Sequence, residues 1–376
     1  MRNRIALILL ATAFAAGQIP LTPRVQRAGT EFHYLPLERG MLEWNATILQ
    51  LDGYRFPTPA SENLVACKSA AAEREVLALY RSGSARTFIV RLFDQDLDLR
   101  LEKVLPREAD RGAPLLIPAD TGTVLALYPD EQSYAWLRQG LPVTFRRLFP
   151  GDRFDLERKI LVARTESDSL VTLHQRSAAL DATGLQVLLW EPDRDPRPLV
   201  SLPLAVPYQA VLHTPYLIVS GTRQSTPDGS PEFHLWIQSL TDPGEHFDWR
   251  LASLPESMVV NDSTVFALFR DHLEGYAWRS GRIMTRWQYP EPATLHGACR
   301  RDSSLYLVTS ALPEISLTGY RFSRLELVRI HTGTGVITRY ALPLTADWNE
   351  RPRVIWRKDG CILTTRNQWQ EYGPLP

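Results

Sequence analysis

A short phrase recurs along the chain. A strand-like run, alternating polar and apolar residues, ends in an apolar or aromatic residue followed by proline. It occurs at Leu35-Pro36, Leu105-Pro106, Phe149-Pro150, Leu202-Pro203, Leu254-Pro255, Tyr289-Pro290 and Leu342-Pro343. Several copies are longer: Tyr340-Ala341-Leu342-Pro343-Leu344 repeats Tyr34-Leu35-Pro36-Leu37 and Ser201-Leu202-Pro203-Leu204. Successive prolines are 70, 44, 53, 52, 35 and 53 residues apart. Apart from the first, these intervals fit a unit of ~40–50 residues, one supersecondary module that buries its apolar faces only by stacking on neighbours like itself. An aromatic residue stands 12 to 19 positions before most of these prolines: Phe93, Trp136, Trp190, Trp236 and Trp278.

The clearest unit runs from Thr294 to Leu344. Its expected strands are Leu295 to Arg300, Ser304 to Thr309, Leu325 to Ile330 and Val336 to Leu342. Arg301-Asp302-Ser303 and Thr332-Gly333-Thr334-Gly335 supply its tight turns. β-Branched and aromatic alternation between Gly-bearing turns is a hairpin signal. The same four-strand plan fits 63–106, 115–150, 160–203, 210–255 and 258–290. Helical periodicity is almost absent; Ala70 to Leu79 is the one helix-like stretch, and its second half also reads as a strand.

Four-stranded antiparallel units of this length make the blades of a β-propeller. The chain ends complete the pattern. Residues 353–376 supply three strands of a last unit, and Glu31 to Leu37 reads as the missing outer strand. Closing the ring in this way removes exposed sheet edges. The expectation is therefore all-β: a seven-bladed propeller over residues 30–376, closed by an N-terminal strand, with six or eight blades as alternatives. Two sandwich domains would leave the complementary termini unexplained. The wide first interval leaves an excess at 38–61, read as an inserted hairpin with its own Asp52-Gly53 turn.

Met1-Arg2-Asn3-Arg4 is a short basic segment, and Ile5 to Ala16 is an apolar run of 12 residues. That is too short for a bilayer, which needs about 20. With Ala13-Phe14-Ala15 it reads as a signal peptide, residues 1–16, cleaved after Ala15 or one to two residues later; an uncleaved anchor is the alternative. The mature chain should then be periplasmic or secreted, with no transmembrane segment. Lys plus Arg and Asp plus Glu are each 42, so the net charge is zero. A nucleic-acid binder working by bulk charge needs a basic surplus, so no nucleic-acid partner is expected. The three cysteines, Cys67, Cys299 and Cys361, lie in apolar strand-like runs and read as buried small hydrophobes; a disulfide between two of them remains open.

No metalloprotease, lipase-type, P-loop or dinucleotide motif occurs. The eight histidines are scattered, and Asp94-Gln95-Asp96-Leu97-Asp98 lacks the glycine and terminal glutamate of a calcium loop. No catalytic residue, metal or cofactor is assigned. In a propeller the first strand (A) of each blade lines the channel. The B–C loops and D–A connections share one face, and the A–B and C–D turns share the other. The long B–C loops at 176–184, 222–232 and 311–324 point to the first face as the place for a ligand. Candidate binding residues there are Arg176, Arg223, Asp228, Glu232, Glu314, Tyr320 and Arg321. Tyr208, His296, Trp348 and Arg353 join them where chain enters an inner strand.

The turn His331-Thr332-Gly333-Thr334-Gly335-Val336 resembles the C–D hairpin of quinoprotein and YVTN-type blades, with His331 where an Asp recurs. Ser225-Thr226-Pro227-Asp228-Gly229 with Trp236 resembles an Asp-box, at a different spacing. WD dipeptides and the kelch double glycine are missing. The chain thus resembles the broad class of exported bacterial β-propellers in architecture, and that resemblance transfers no site. Two functions compete. One is a monomeric binding or scaffold module holding a protein or glycan on the B–C-loop face. The other is a propeller enzyme of hydrolase, lyase or lactonase type over the channel, which needs titratable groups within hydrogen-bond reach.

Overall fold

The computed structural model describes residues 19–20, 25–28, 32–70, 74–83, 87–106, 113–119, 122–128, 132–148, 154–155, 161–164, 169–176, 184–192, 194–223, 231–261, 263–278, 280–289, 292–316, 319–342, 351–365 and 368–375. The predicted signal peptide lies outside them. Among the described residues every regular element is a strand. Ala70 to Leu79 resolves as parts of two strands, Glu62–Ala70 and Glu75–Ser82.

The strands form eight antiparallel blades, not seven. Blade 1 is built from His33–Pro36, Met41–Asn45, Ile48–Leu51 and Tyr54–Pro57. Blades 2 to 7 span 62–106, 115–147, 154–202, 206–251, 257–288 and 294–341. Blade 8 combines Arg353–Arg357, Gly360–Thr364 and Gln368–Tyr372 with Val25–Ala28 as its outer strand. Closure by an N-terminal strand therefore holds, but through residues 25–28. The segment expected to close the ring, Glu31 to Leu37, instead supplies His33–Pro36, the inner strand of a full blade. The presumed insert provides that blade's other three strands.

The extra blade has a physical cause. Its strands are only four or five residues long, and its turns are tight enough to fit four of them into 33–57. Asn45 Oδ1 accepts from the backbone N–H groups of Thr47 (2.9 Å) and Ile48 (3.1 Å), replacing a longer loop. Asp52 and Gly53 both take positive φ, 46° and 92°, the requirement of a two-residue type I′ hairpin. Leu37, Leu42, Leu49 and Leu51 are buried against Leu64, Val76, Tyr80 and Phe93 of blade 2. Four leucines sealed from water at roughly 1.5–3 kcal/mol each make this a packed blade rather than an ornament.

The later units match expectation closely. In blade 7 the strands Thr294–Arg301, Ser304–Ser310, Glu326–His331 and Ile337–Ala341 each begin and end within one residue of the predicted bounds. The landmark aromatics fall on, or just after, the third strand of their blades. Trp190 is fully buried, donates its Nε1–H to Thr172 Oγ1 at 2.6 Å, and meets Tyr134 of blade 3 edge-on at 5.2 Å. The aromatic landmark thus records inter-blade packing.

Inner strands of neighbouring blades touch between blades 1 and 2 and from blade 4 round to blade 8. Gly297 shows how closely: a Cβ there would lie 2.7 Å from Val354 Cβ of blade 8. Each pair of neighbouring blades encloses one apolar cluster. Ile19–Pro20 adds a short parallel strand outside Ile337–Ala341 of blade 7. Cys67, Cys299 and Cys361 are free thiols within strands, and burial pushes Cys361 up to about 12.

Candidate functional site

The B–C-loop face carries two groups of predicted residues that the fold brings together. In blade 5, Arg223 and Glu232 are cross-strand neighbours at the root of the long B–C loop. Between them sits His234, 5% exposed, with Nδ1 2.6 Å from Asp248 Oδ1 and Nε2 3.6 Å from Glu232 Oε2. Arg223 pairs with Asp248 at 3.4 Å, and Arg250 with Glu232 at 3.1 Å. The charges are mutually satisfied, so this cluster braces the loop root. Blade 6 repeats the plan: Arg286 Nε donates to Glu274 Oε1 at 2.6 Å, and Tyr276 OH donates to the same carboxylate. Burial works to raise the Glu274 carboxyl, and these hydrogen bonds outweigh it, holding it below its usual range.

The second group is in blade 7, where the B–C loop folds into a hairpin of Glu314–Ser316 and Gly319–Arg321. Glu314 stands opposite Arg321 and Ile315 opposite Tyr320. Glu314 and Arg321 are exposed. Ile315 is 83% exposed, and Leu312 at the hairpin root is 39% exposed.

Tyr208 and His296 sit on β-bulges of inner strands, in blades 5 and 7. Blade 2 has the same irregularity at Val65. A bulge re-aims one side chain out of the pleat, and Val65 and Tyr208 are indeed exposed at 48% and 45% despite lying on inner strands. His296 behaves differently. It is edge-on to Phe322, and Nε2 lies 2.8 Å from Ser310 Oγ. Burial, aided by the Arg351 charge, lowers its pKa to about 3, so it is neutral. Ser310 is 2% exposed, and its hydroxyl donates to Ala311 O at 2.8 Å. Arg353 is exposed at the start of the inner strand of blade 8, and Arg176 ends the second strand of blade 4. Asp228 and Trp348 lie outside the described residues. Among the described residues no three His, Cys, Asp or Glu side chains gather as metal ligands.

A separate cleft lies on the opposite face. It has a volume of about 870 Å³ and opens between blades 8 and 1, walled by their A–B turns, by the Asp52-Gly53 turn and by Arg74 of blade 2. Met41, Ile362 and Trp369 form its apolar side, whereas the Trp356 ring packs on the cluster between blades 7 and 8. Arg74 pairs with Glu38 at 2.9 Å, Gln50 with Glu43 at 2.5 Å, and Arg39 with Asp96. Arg357 reaches from blade 8 to the Leu37 carbonyl, tying the two blades. Reading the sequence did not single out these residues, because the blade that forms half of the cleft was read as an insert. The Asp52-Gly53 turn and Trp369 of the last unit were the available signals.

No family model and no curated protein matches the chain. Solved structures do. BamB from Moraxella catarrhalis is 10% identical, with a TM-score of 0.57 over 94% of this chain and 99% of that one. The Dos1 propeller is 8% identical at 0.54, over 94% and 95%. Sqt1 of Saccharomyces cerevisiae is 11% identical at 0.52, over 96% and 100%. The likeness is one of fold. It agrees with a propeller over nearly the whole chain and assigns no residue a role. No helix among the described residues is long and apolar enough to cross a membrane.

Proposed function

We propose that the chain is an exported, non-catalytic binding module, acting as a monomer in the periplasm or outside the cell. It holds a protein partner on its B–C-loop face. The observation that carries this reading is the blade 7 hairpin. Ile315 is held in water at 83% exposure, with Leu312 behind it and Glu314 and Arg321 beside it. An apolar side chain raised on a short hairpin, with charges of both signs at its base, suits a protein partner: the apolar tip supplies the buried anchor and the charges the polar rim. The basic and apolar N-terminal segments support export, and BamB-like architecture is compatible with it. The test is quantitative capture from envelope extract by the mature chain and by Ile315→Asp. Loss of one partner with Ile315→Asp, at unchanged melting temperature, supports the reading; equal capture by both proteins sinks it.

The second reading, an enzyme, rests on the 2.8 Å contact of His296 with Ser310, a spacing suited to base and nucleophile. Weighing against it, Ser310 is buried and already donates to Ala311. Among the described residues His296 Nδ1 has no hydrogen-bond partner, so none of them orients the ring as a third group. Hydrolysis of p-nitrophenyl esters that disappears in Ser310→Ala would restore the enzyme reading.

A further inference from the structure

Behind the blade 7 hairpin stands a group of arginines whose charge points to the chemistry of the partner. We infer, resting on the docking reading above, that the segment held at this hairpin is a polypeptide rich in carboxylates around an apolar residue. Among the described residues four exposed arginines stand at this end of blades 7 and 8: Arg321, Arg324, Arg351 and Arg353. Contacts between the elements bring them together. Ala311 N–H donates to Ser323 O at 3.1 Å, which closes the hairpin root beside Arg324. Phe322, next to Arg321, is buried and meets His296 edge-on at 5.3 Å. Arg351 donates to the carbonyl of Leu295, the residue before His296, and so crosses from the start of blade 8 to blade 7. Arg353 follows on the inner strand of blade 8, opposite Thr364.

The described acids nearby do not balance these charges. Glu314 is exposed, and it stands opposite Arg321, whose charge offsets it. Glu256 Oε2 accepts from the Leu295 backbone N–H at 3.1 Å, and Glu326 pairs with Arg339 at 2.8 Å. Arg324 and Arg353 make no hydrogen bond or ion pair among the described residues. Each therefore presents a planar fork of donors that a carboxylate can take side by side. Arg324 has a φ of 51°, a left-handed backbone that glycine or asparagine adopts more easily. Backbone strain of this kind gathers at ligand-holding positions.

The apolar tip and the arginines together discriminate among anionic ligands. A nucleic acid or a sulfated glycan reads positive charge and leaves Ile315, 83% exposed, in water. An anionic membrane would bring its phosphates against Glu314, and Ile315 with Leu312 offers little apolar area to insert. A polypeptide meets both elements. Its own apolar side chain packs on Ile315, and its carboxylates reach Arg324 and Arg353 at the rim.

The test uses the full mature chain and labelled synthetic peptides followed by fluorescence anisotropy. One peptide carries a leucine pair flanked by glutamates, the other the same pair flanked by lysines. The glutamate peptide should bind saturably below about 1 mM and about tenfold or more tighter than the lysine peptide. Arg324→Glu and Arg353→Glu should each weaken it by about fivefold or more, and so should salt at about 0.5 M. Both positions are exposed, and an unchanged melting temperature shows that each variant is folded. Arg55→Glu, on the opposite face, should leave binding as it is. Equal binding of the two peptides overturns the inference, as does no saturable binding below about 1 mM. So does unaltered affinity in both arginine variants, or tighter binding of a heparin fragment or of phosphatidylglycerol vesicles. Ile315→Asp keeps the two readings apart. Peptide binding lost in Ile315→Asp but not in the arginine variants would keep the hairpin as the anchor and sink the acidic partner. Binding lost in the arginine variants alone would keep the acidic ligand and sink the hairpin anchor.

Discussion

Two blade junctions in the same ring are built differently. Between blades 5 and 6, ten buried apolar side chains interlock, among them Leu235, Ile237, Val265 and Trp278, and Trp249 stacks on Tyr276 at 6.0 Å and 7°. Between blades 8 and 1, three are buried, Met41, Ile362 and Trp369. Polar links take over there, such as Arg357 on the Leu37 carbonyl, and the space becomes the cleft. Ten against three, at roughly 1.5–3 kcal/mol per buried side chain, is a difference on the order of 10 kcal/mol in gross burial. A closed ring needs every junction for continuity but not every junction for stability. The seam where the termini meet is therefore the place where an opening costs least.

The sharpest way to break this comparison is to remove the seam's outer strand. A chain beginning after residue 28 lacks Val25–Ala28 and leaves Gln368–Tyr372 as a bare edge. Its melting temperature should fall by about 10 °C or more, with a rise in aggregation on scattering. A chain that melts as before would mean that the N-terminal strand contributes nothing to closure. Blade 2, on the other side of blade 1, is braced across its own strands by Arg91, which donates to Glu62 Oε1 at 3.0 Å and to Glu102 Oε2 at 2.6 Å, with Arg91 and Glu62 side chains 7% and 9% exposed. Arg91→Met strands the buried Glu62 carboxylate and should cost about 3–5 kcal/mol in chemical denaturation. A cost below about 1 kcal/mol would make the pair ornamental.

The junctions can be compared directly with two truncations of the same residue type. Ile237→Ala in the blade 5–6 core should cost about 3–5 kcal/mol, and Ile362→Ala at the seam about 1–2, because an open site relaxes and admits water. Equal losses would remove the distinction. The smallest effect concerns pH. Burial lowers both His174 and, with the Arg351 charge, His296 to about 3, against 6.5 when unfolded. Both are neutral in the folded chain. Their contribution is complete above pH 6.5 and is lost as pH falls from there toward 3, because the unfolded chain takes up the protons first. The unfolding midpoint should decline between pH 6.5 and 4, and His174→Gln should flatten that decline; an unchanged slope would show that carboxylates alone set it.

Much of the fold was legible because blade strands are locally specified. The Asp302 turn, the Thr332 to Gly335 turn and the alternation of 304–309 follow from turn chemistry and pleat period alone, and the structure meets them to within one residue. The blade count was not legible, for an equally local reason. Blade 1 uses strands of four and five residues and an Asn45 side chain in place of a loop, so no interval of ~40–50 residues announces it. The predicted face residues were readable as loop roots, but their state was not. Arg223 and Glu232 turn out to be consumed by His234, Asp248 and Arg250, whereas Ile315 stands free in water.

By itself the sequence determined the class of fold, the four-strand unit, the buried aromatic of most blades and the need for the two ends of the chain to meet. These depend on side-chain period, turn residues and neighbours close in the chain. Tertiary structure alone decided the eighth blade, which residues 25–28 complete, and the cleft where blades 8 and 1 meet. Those outcomes depend on how partners more than 300 positions apart, such as Leu37 and Arg357, share one junction. No local pattern encodes whether such a junction fills with leucine or stays open and polar.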